Sequence, residues 1–279
     1  MLHVDVPEHV HELDEVPTDR RVALRLLWLL DDPHAPLDAI THVISADPGL
    51  SARLLALANA SSVSEAGGVT SLPRAVSLLG AQAVQAVACT AVLNLFSNRP
   101  ELPERFWLHA ITAGVAAARV AFQMHLDPGE ALTAGLLHDF GEQLLHGRDP
   151  DRFDEMVVSV SDEGAEARLV IERQLFGIDH ATLGAQVLSS HGLPSTFTNA
   201  VHQHHDNSAD GGPLTRVVRV ADCIAEIIEG DTRLDLDATL RAAGIAAASD
   251  RLIEQAETDR RSLVQFLAAD VQAPRSIPR

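Results

Sequence analysis

Histidine and aspartate side chains in the second half of the chain could together hold metal ions. The chain has 14 histidines, and the neighbouring pairs His138-Asp139 and His204-His205 stand where predicted helices could converge. Imidazole and carboxylate ligands suit Fe, Mn or Zn, and adjacent ligands can serve two neighbouring ions. Paired ions suit phosphoester hydrolysis, because they activate water and neutralise charge on the phosphate. The candidate metal ligands are His109, His138, Asp139, His180, His204, His205 and Asp222.

Three of these polar side chains follow or interrupt apolar sequence and therefore need partners. His138-Asp139 comes directly after Ala134-Gly135-Leu136-Leu137, and Asp222 lies within an apolar run. An unpaired imidazole or carboxylate would be costly to bury at such positions. The other candidates could instead be ordinary polar positions of amphipathic helices or helix ends: His109, His180, His204 and His205.

Helices are the elements that must position these side chains. Ala, Leu, Arg and Glu fill the periodic segments, and alternating β-branched runs are scarce. This pattern predicts an all-α fold. One helix is predicted for residues 128–145, and residues 148–154 are predicted to form a loop. Asp47-Pro48 is typical of a helix start, and Asp179 is predicted to cap the helix that follows it.

The best candidate boundary is the segment 97–103, which contains two prolines. Residues 1–102 are then expected to form an N-terminal helical part. Residues 103–232 form a multi-helix core that carries all the candidate ligands, and residues 233–279 form C-terminal helices with a frayed tail.

Charge and hydropathy narrow the range of partners and compartments. The net charge of −18, from 39 acidic and 21 basic residues, disfavours general binding to nucleic acid, which is itself a polyanion. The acidic N-terminus lacks the features of a signal peptide. The most apolar stretch, residues 81–96, falls short of the ~20 apolar residues that a membrane helix needs. We therefore expect a soluble, cytoplasmic protein that does not associate with membranes.

Short motifs occur throughout residues 16–230. The N-terminal half contains ISADPGLSARLL at 44–55, LAN at 57–59 and AVSLLG at 75–80. The second half contains AGLLHDFG at 134–141, FGIDH at 176–180 and VAD at 220–222. Together these motifs resemble those of the HDOD domain proteins of bacterial signalling, which are related to the HD phosphohydrolases.

The resemblance implies an N-terminal helical subdomain packed on an HD-like helical core. It also implies a role that is usually regulatory or scaffolding rather than catalytic. Unlike many family members, this chain has residues that match, in order, the ligands of the dinuclear HD-GYP cyclic-dinucleotide phosphodiesterases. The implied site holds one or two Fe, Mn or Zn ions on the seven candidates given above.

Two departures from those phosphodiesterases argue against catalysis. Glu142 stands where they have a lysine that acts on the substrate phosphate, and a carboxylate there would repel a phosphate. The sequence contains no tyrosine, so the Gly-Tyr-Pro signature is also missing. Arg105 and Arg148 are candidates for phosphate recognition by their proximity in the chain alone.

Three hypotheses remain. The leading one is a signalling protein that acts through partner proteins or senses a nucleotide or cyclic dinucleotide, with an HD-like pocket that is vestigial or binds metal without fast turnover. The alternative is a metal-dependent phosphohydrolase acting on a nucleotide or cyclic dinucleotide. The third is a helical adaptor in which the pocket has no role. A homodimer is compatible with each of them.

Overall fold

The structure is a computed structural model that describes residues 19–30, 32, 34–61, 68–94, 102–160, 164–206 and 211–268. The described residues form helices and no strand, which confirms the predicted all-α class. The first helices are α1 (Arg20–Leu30), α2 (Leu37–Ile44), α3 (Pro48–Ser61) and α4 (Leu72–Asn94). Most of the predicted boundary at 97–103 and the end of the predicted tail lie outside the described residues.

The described residues of the second half form ten further helices. They are α5 (Glu104–Gln123), α6 (Pro128–Leu137), α7 (Phe140–Arg148), α8 (Pro150–Ser159), α9 (Ala165–Phe176), α10 (His180–Ser190), α11 (Ser195–His202), α12 (Pro213–Ile228), α13 (Leu236–Ala242) and α14 (Ser249–Ala268). Within the described ranges, no helix combines the length and apolar character that a membrane crossing requires.

Both predicted helix starts are confirmed by their hydrogen bonds. The Asp47 side chain accepts a hydrogen bond from the Leu50 N–H at 2.7 Å, and Pro48 is the first residue of α3. The Asp179 side chain accepts from the Thr182 N–H at 2.8 Å and so caps α10. In each case a carboxylate satisfies an N–H that has no partner within the helix.

Two of the predicted elements are wrong. The single helix at 128–145 is broken, because α6 ends at Leu137 and α7 begins at Phe140. The break was not predicted because the apolar periodicity continues through it. The loop predicted at 148–154 is largely the start of α8, which Asp149 caps by accepting from the Arg152 N–H at 3.2 Å. Asp149-Pro150 is a helix start of the same kind as Asp47-Pro48. The polar composition of the segment led to the prediction of a loop instead.

Helix α5 contributes to both hydrophobic clusters of the core. Its first half, including Phe106 and Ile111, packs in a large cluster with residues of the N-terminal helices and of α6, α7, α10 and α11. Its second half, including Val120, packs with α12, α13 and α14. The large cluster therefore includes residues from both sides of the predicted boundary.

The segment before α4 connects the N-terminal helices to the second half of the chain. Asn59 donates to the Val69 carbonyl at 2.9 Å and accepts from the Val69 N–H at 2.8 Å. The Leu72 N–H donates to Thr133 Oγ1 of α6 at 3.3 Å. A Cβ atom on Gly68 would lie 2.8 Å from Pro194 Cγ, in the turn before α11. The N-terminal part thus contacts α6 and this turn directly.

Candidate metal centre

The structure brings all seven candidate ligands together. His109 lies on α5, His138 and Asp139 form the break between α6 and α7, and His180 is the first residue of α10. His204 and His205 follow α11, and Asp222 lies on α12. Five separate parts of the second half therefore meet at one point. Residues far apart in sequence share this site only because the helices cross there.

Asp139 lies at the middle of the cluster, between two groups of histidines. Its Oδ1 is 3.4 Å from His180 Nε2 and 3.2 Å from His204 Nε2. Its Oδ2 is 3.3 Å from His138 Nε2 and 3.4 Å from His109 Nε2. One carboxylate thus faces ring nitrogens on both sides, as a carboxylate that bridges two metal ions does.

The ligand atoms fall into two sets that could each surround one ion. His109, His138 and Asp222 form the first set, and Asp139, His180, His204 and His205 form the second, with the ligand atoms of each set within 4.8 Å of one another. Asp222 Oδ1 is 3.4 Å from the Nε2 atoms of both His109 and His138. Mixed nitrogen and oxygen ligands of this kind suit Fe, Mn or Zn.

Four of the histidine rings are fixed by an acceptor at Nδ1. The acceptors are Glu229 for His109 (3.1 Å), the Gly135 carbonyl for His138 (2.7 Å), Glu172 for His180 (2.7 Å) and the Val201 carbonyl for His204 (2.6 Å). A neutral imidazole that donates through Nδ1 has its lone pair on Nε2. These outer contacts therefore direct four Nε2 lone pairs towards the centre of the cluster, as outer partners do around a metal.

The inner atoms of the cluster lack the partners that buried polar atoms normally have. Asp139 Oδ1 and His204 Nε2 are buried and 3.2 Å apart, yet neither has a hydrogen-bond partner among the described residues. His109 Nε2 and His138 Nε2 face each other at 3.3 Å. Where these ring nitrogens carry no proton, the converging acceptors need a cation between them. The residues present therefore fit a metal ion.

Charge interactions in the cluster are strong because its members are buried. Burial disfavours the charged form of His138, but the Asp139 and Asp222 carboxylates outweigh it and raise the pKa of this ring to about 10. Burial also acts against the charged form of Asp139, yet His138 and the other rings hold its pKa well below the usual value. For His205, burial and the nearby rings His204 and His180 hold the pKa well below 6.5.

A cavity of about 160 Å³ opens onto the cluster. Arg105 lines it, as proximity in the chain suggested, whereas Arg148 is not among its lining residues. Arg168 of α9 also lines it and was not found from the sequence. Glu142, expected to repel phosphate, is buried and forms an ion pair with Arg168. Its charge is therefore partly neutralised within the protein.

Helices α7 and α10 approach each other so closely that only glycine fits at one position of α7. A Cβ atom on Gly141 would lie 2.7 Å from the His180 carbonyl carbon and 2.9 Å from the Gly184 nitrogen. Gly141→Ala is therefore expected to lower the free energy of unfolding by about 1–3 kcal/mol, because the backbone carrying His180 must move. Urea unfolding measures this effect.

The matched control is Gly147→Ala in the same helix, where an added Cβ would meet no atom within 4 Å. This substitution should leave stability unchanged or raise it by about 0.5–1 kcal/mol, since alanine favours the helix. Equal unfolding midpoints for the two variants would show that α7 and α10 are not in such close contact at Gly141.

A profile of the HDOD domain matches residues 16–207. The crystal structure of the MmoQ response regulator from Methylococcus capsulatus str. Bath is similar, with a TM-score of 0.70 and 27% sequence identity over 86% of this chain and 98% of that chain. An uncharacterized protein of Treponema pallidum is 23% identical over 79% of this chain and 44% of its own length. Ribonuclease Y of Aquifex aeolicus is 24% identical over 51% of this chain and 21% of its own. The chain thus spans less than half the length of these two curated relatives.

Proposed function

Since the chain belongs to the HDOD domain family, we propose that it is a signal-transduction protein whose HD-like half binds two divalent transition-metal ions and, beside them, a phosphorylated ligand. The position of Asp139 carries this proposal, because each of its oxygens faces histidine Nε2 atoms of a different set. The similarity to the MmoQ response regulator supports the signalling role.

Each ion would be held by one set of ligands and one oxygen of Asp139. The first ion would be held by His109, His138, Asp222 and Asp139 Oδ2. The second would be held by His180, His204, His205 and Asp139 Oδ1. Such a pair of ions, when bound, neutralises phosphate charge and lowers the pKa of bound water.

The chain's own residues prepare the site by fixing these ligands before a metal arrives. Glu172 and the Gly135 and Val201 carbonyls hold three of the rings at 2.6–2.7 Å. His138, His180 and His204 are almost fully buried, so water has little access to the inner side of the centre. We propose a nucleotide or cyclic dinucleotide as the ligand and a partner protein, or a second copy of this chain, as the recipient of the signal.

Hydrolysis of a phosphoester is the second candidate function. It is favoured by the cavity, which exposes His109, Asp139, His205 and Asp222 to a ligand. The similarity to ribonuclease Y, an enzyme named for cleaving RNA, supports it as well. Against fast turnover stands Glu142, which places a carboxylate in the cavity wall.

Metal content separates a working centre from a vestigial one. We expect elemental analysis of protein purified without chelators to find about two ions of Fe, Mn or Zn per chain. The double variant His138→Ala/Asp139→Ala should contain almost none. His202→Ala is the control, since His202 is exposed on α11 close to the cluster in sequence, and it should retain the metal. A folded wild-type protein without metal would contradict the proposal.

Turnover of bis(p-nitrophenyl) phosphate then distinguishes the two candidates. Metal-dependent turnover that the double variant loses would establish hydrolysis. Stoichiometric metal with no turnover would favour a centre that binds its ligand and signals.

A further inference from the structure

We propose that Arg168 recognises an anionic group of the ligand and that Glu142 competes with the ligand for this arginine. The inference rests on the proposed function, because it places that anion beside the metal centre. Arg168 lines both the cavity at the centre and a neighbouring cavity of about 410 Å³. It therefore stands where a phosphate ester would pass from one cavity into the other.

The wall of the cavity at the centre is acidic, so an anion needs a cation there in order to bind. Arg105 and Arg168 are outnumbered by five acidic residues on the wall: Asp139, Glu142, Asp222, Glu226 and Glu229. An anion would be repelled from this surface when no metal is bound. Two divalent ions would outweigh the excess of negative charge, so binding of an anion should depend on the metal.

The hydrogen bonds of Arg168 leave part of its guanidinium for a ligand. Its Nε donates to Glu172 Oε1 at 3.2 Å, and its Nη2 forms the ion pair with Glu142. Neither contact uses Nη1. Because a guanidinium has five N–H donors in one plane, an anion could replace Glu142 at Nη2 and also bind Nη1. The contact with Glu172 would keep the side chain in place.

Arg105, the other arginine of the cavity, is placed differently. Its side chain is 49% exposed, against 26% for Arg168, and it pairs with the half-exposed Asp154 at the rim. Arg168 is held between Glu142 and Glu172, both of which are buried. A less solvated, pre-positioned guanidinium binds an anion more strongly than one on a mobile, solvated side chain.

The neighbouring cavity indicates the size of the ligand. Val157, Arg168, His205 and Glu226 line both cavities, so the two spaces adjoin. Apolar residues of the second cavity, including Val160 and Leu234, could contact the body of a ligand whose phosphate lies at the centre. The ligand class is therefore a phosphate ester larger than phosphate itself.

Calorimetric titration of the Mn²⁺-loaded full chain with inorganic phosphate tests this inference. Glu142→Gln keeps the side-chain volume and removes the competing charge, so phosphate should bind about tenfold more tightly. Arg168→Gln should weaken binding about tenfold or more, and Arg168→Lys should restore part of it. Arg105→Gln is the matched control and should change the affinity by less than about twofold.

Metal content and circular dichroism are measured on every variant. The inference is overturned if neither Glu142→Gln nor Arg168→Gln changes the phosphate affinity of metal-loaded protein. It is also overturned if the metal-loaded wild type binds no phosphate. If Arg168→Gln loses metal or unfolds, the phosphate affinities of Glu142→Gln and Arg168→Lys decide whether the inference holds. A wild-type protein without metal defeats the proposed function and this inference together, and the metal analysis identifies that case.

Discussion

Asp139→Asn should release both metal ions, whereas loss of one histidine should release mainly one. Asp139 is expected to have this effect because each of its two oxygens lies 3.2–3.4 Å from Nε2 atoms of a different histidine set. His204 belongs to only one set, so His204→Ala leaves the other set complete. Metal content should fall from about two ions per chain to almost none in the first variant and to about one in the second.

Elemental analysis of the purified variants checks this difference. Asp151→Asn, an exposed position at the start of α8, is the matched control and should retain the full metal content. Equal loss of metal in Asp139→Asn and His204→Ala would show that the two sets are filled cooperatively. Full retention in Asp139→Asn would show that the carboxylate does not bridge them.

Glu172→Ala should cause the largest loss of stability among the outer partners. Glu172 is fully buried and accepts from the His180 N–H at 2.8 Å and from His180 Nδ1 at 2.7 Å. It also accepts from Arg168 Nε. Removing it leaves buried donors and a largely buried positive charge without a partner, which costs about 3–5 kcal/mol. Metal affinity should fall about 10–100-fold as well, because His180 loses its anchor.

Urea unfolding of metal-free protein and competition with a metal chelator measure the two effects. Glu172→Gln keeps an acceptor oxygen and should lose less stability than Glu172→Ala. Glu166→Ala is the control, since Glu166 is exposed on the same helix. A loss as small in Glu172→Ala as in Glu166→Ala would show that Arg168 and His180 find other partners.

Three inner residues of the cluster were predicted because each is unusual where it stands. His138-Asp139 follows an apolar run, and Asp222 interrupts one. Polar side chains at both positions need partners if they are buried. The outer residues gave no such signal. Glu172 and Arg168 belong to α9, which carries several charged residues that resemble a solvated helix surface. Arg168 contacts Glu142 of α7, and Glu172 contacts His180 at the start of α10. Periodicity within one helix does not reveal such contacts with other helices.

Helix boundaries show the same division between local and tertiary causes. Asp47 and Asp179 cap their helices through contacts within the first turn, and local sequence was enough to predict them. The break at His138-Asp139 was missed, because the apolar pattern continues through it from α6 into α7. The close approach of Gly141 to the backbone of α10 shows how tightly this region is constrained by distant residues.

The contacts of residues 68–72 give the N-terminal helices a mechanical connection to the ligands. Thr133, bonded to the Leu72 N–H, lies on the helix that ends just before His138, and Pro194, beside Gly68, precedes the helix that leads to His204. Each set of ligands is therefore joined to the same short stretch of backbone. A change in the spacing of the two sets would therefore be felt first, among the N-terminal residues, by this stretch of backbone, which leads directly into α4.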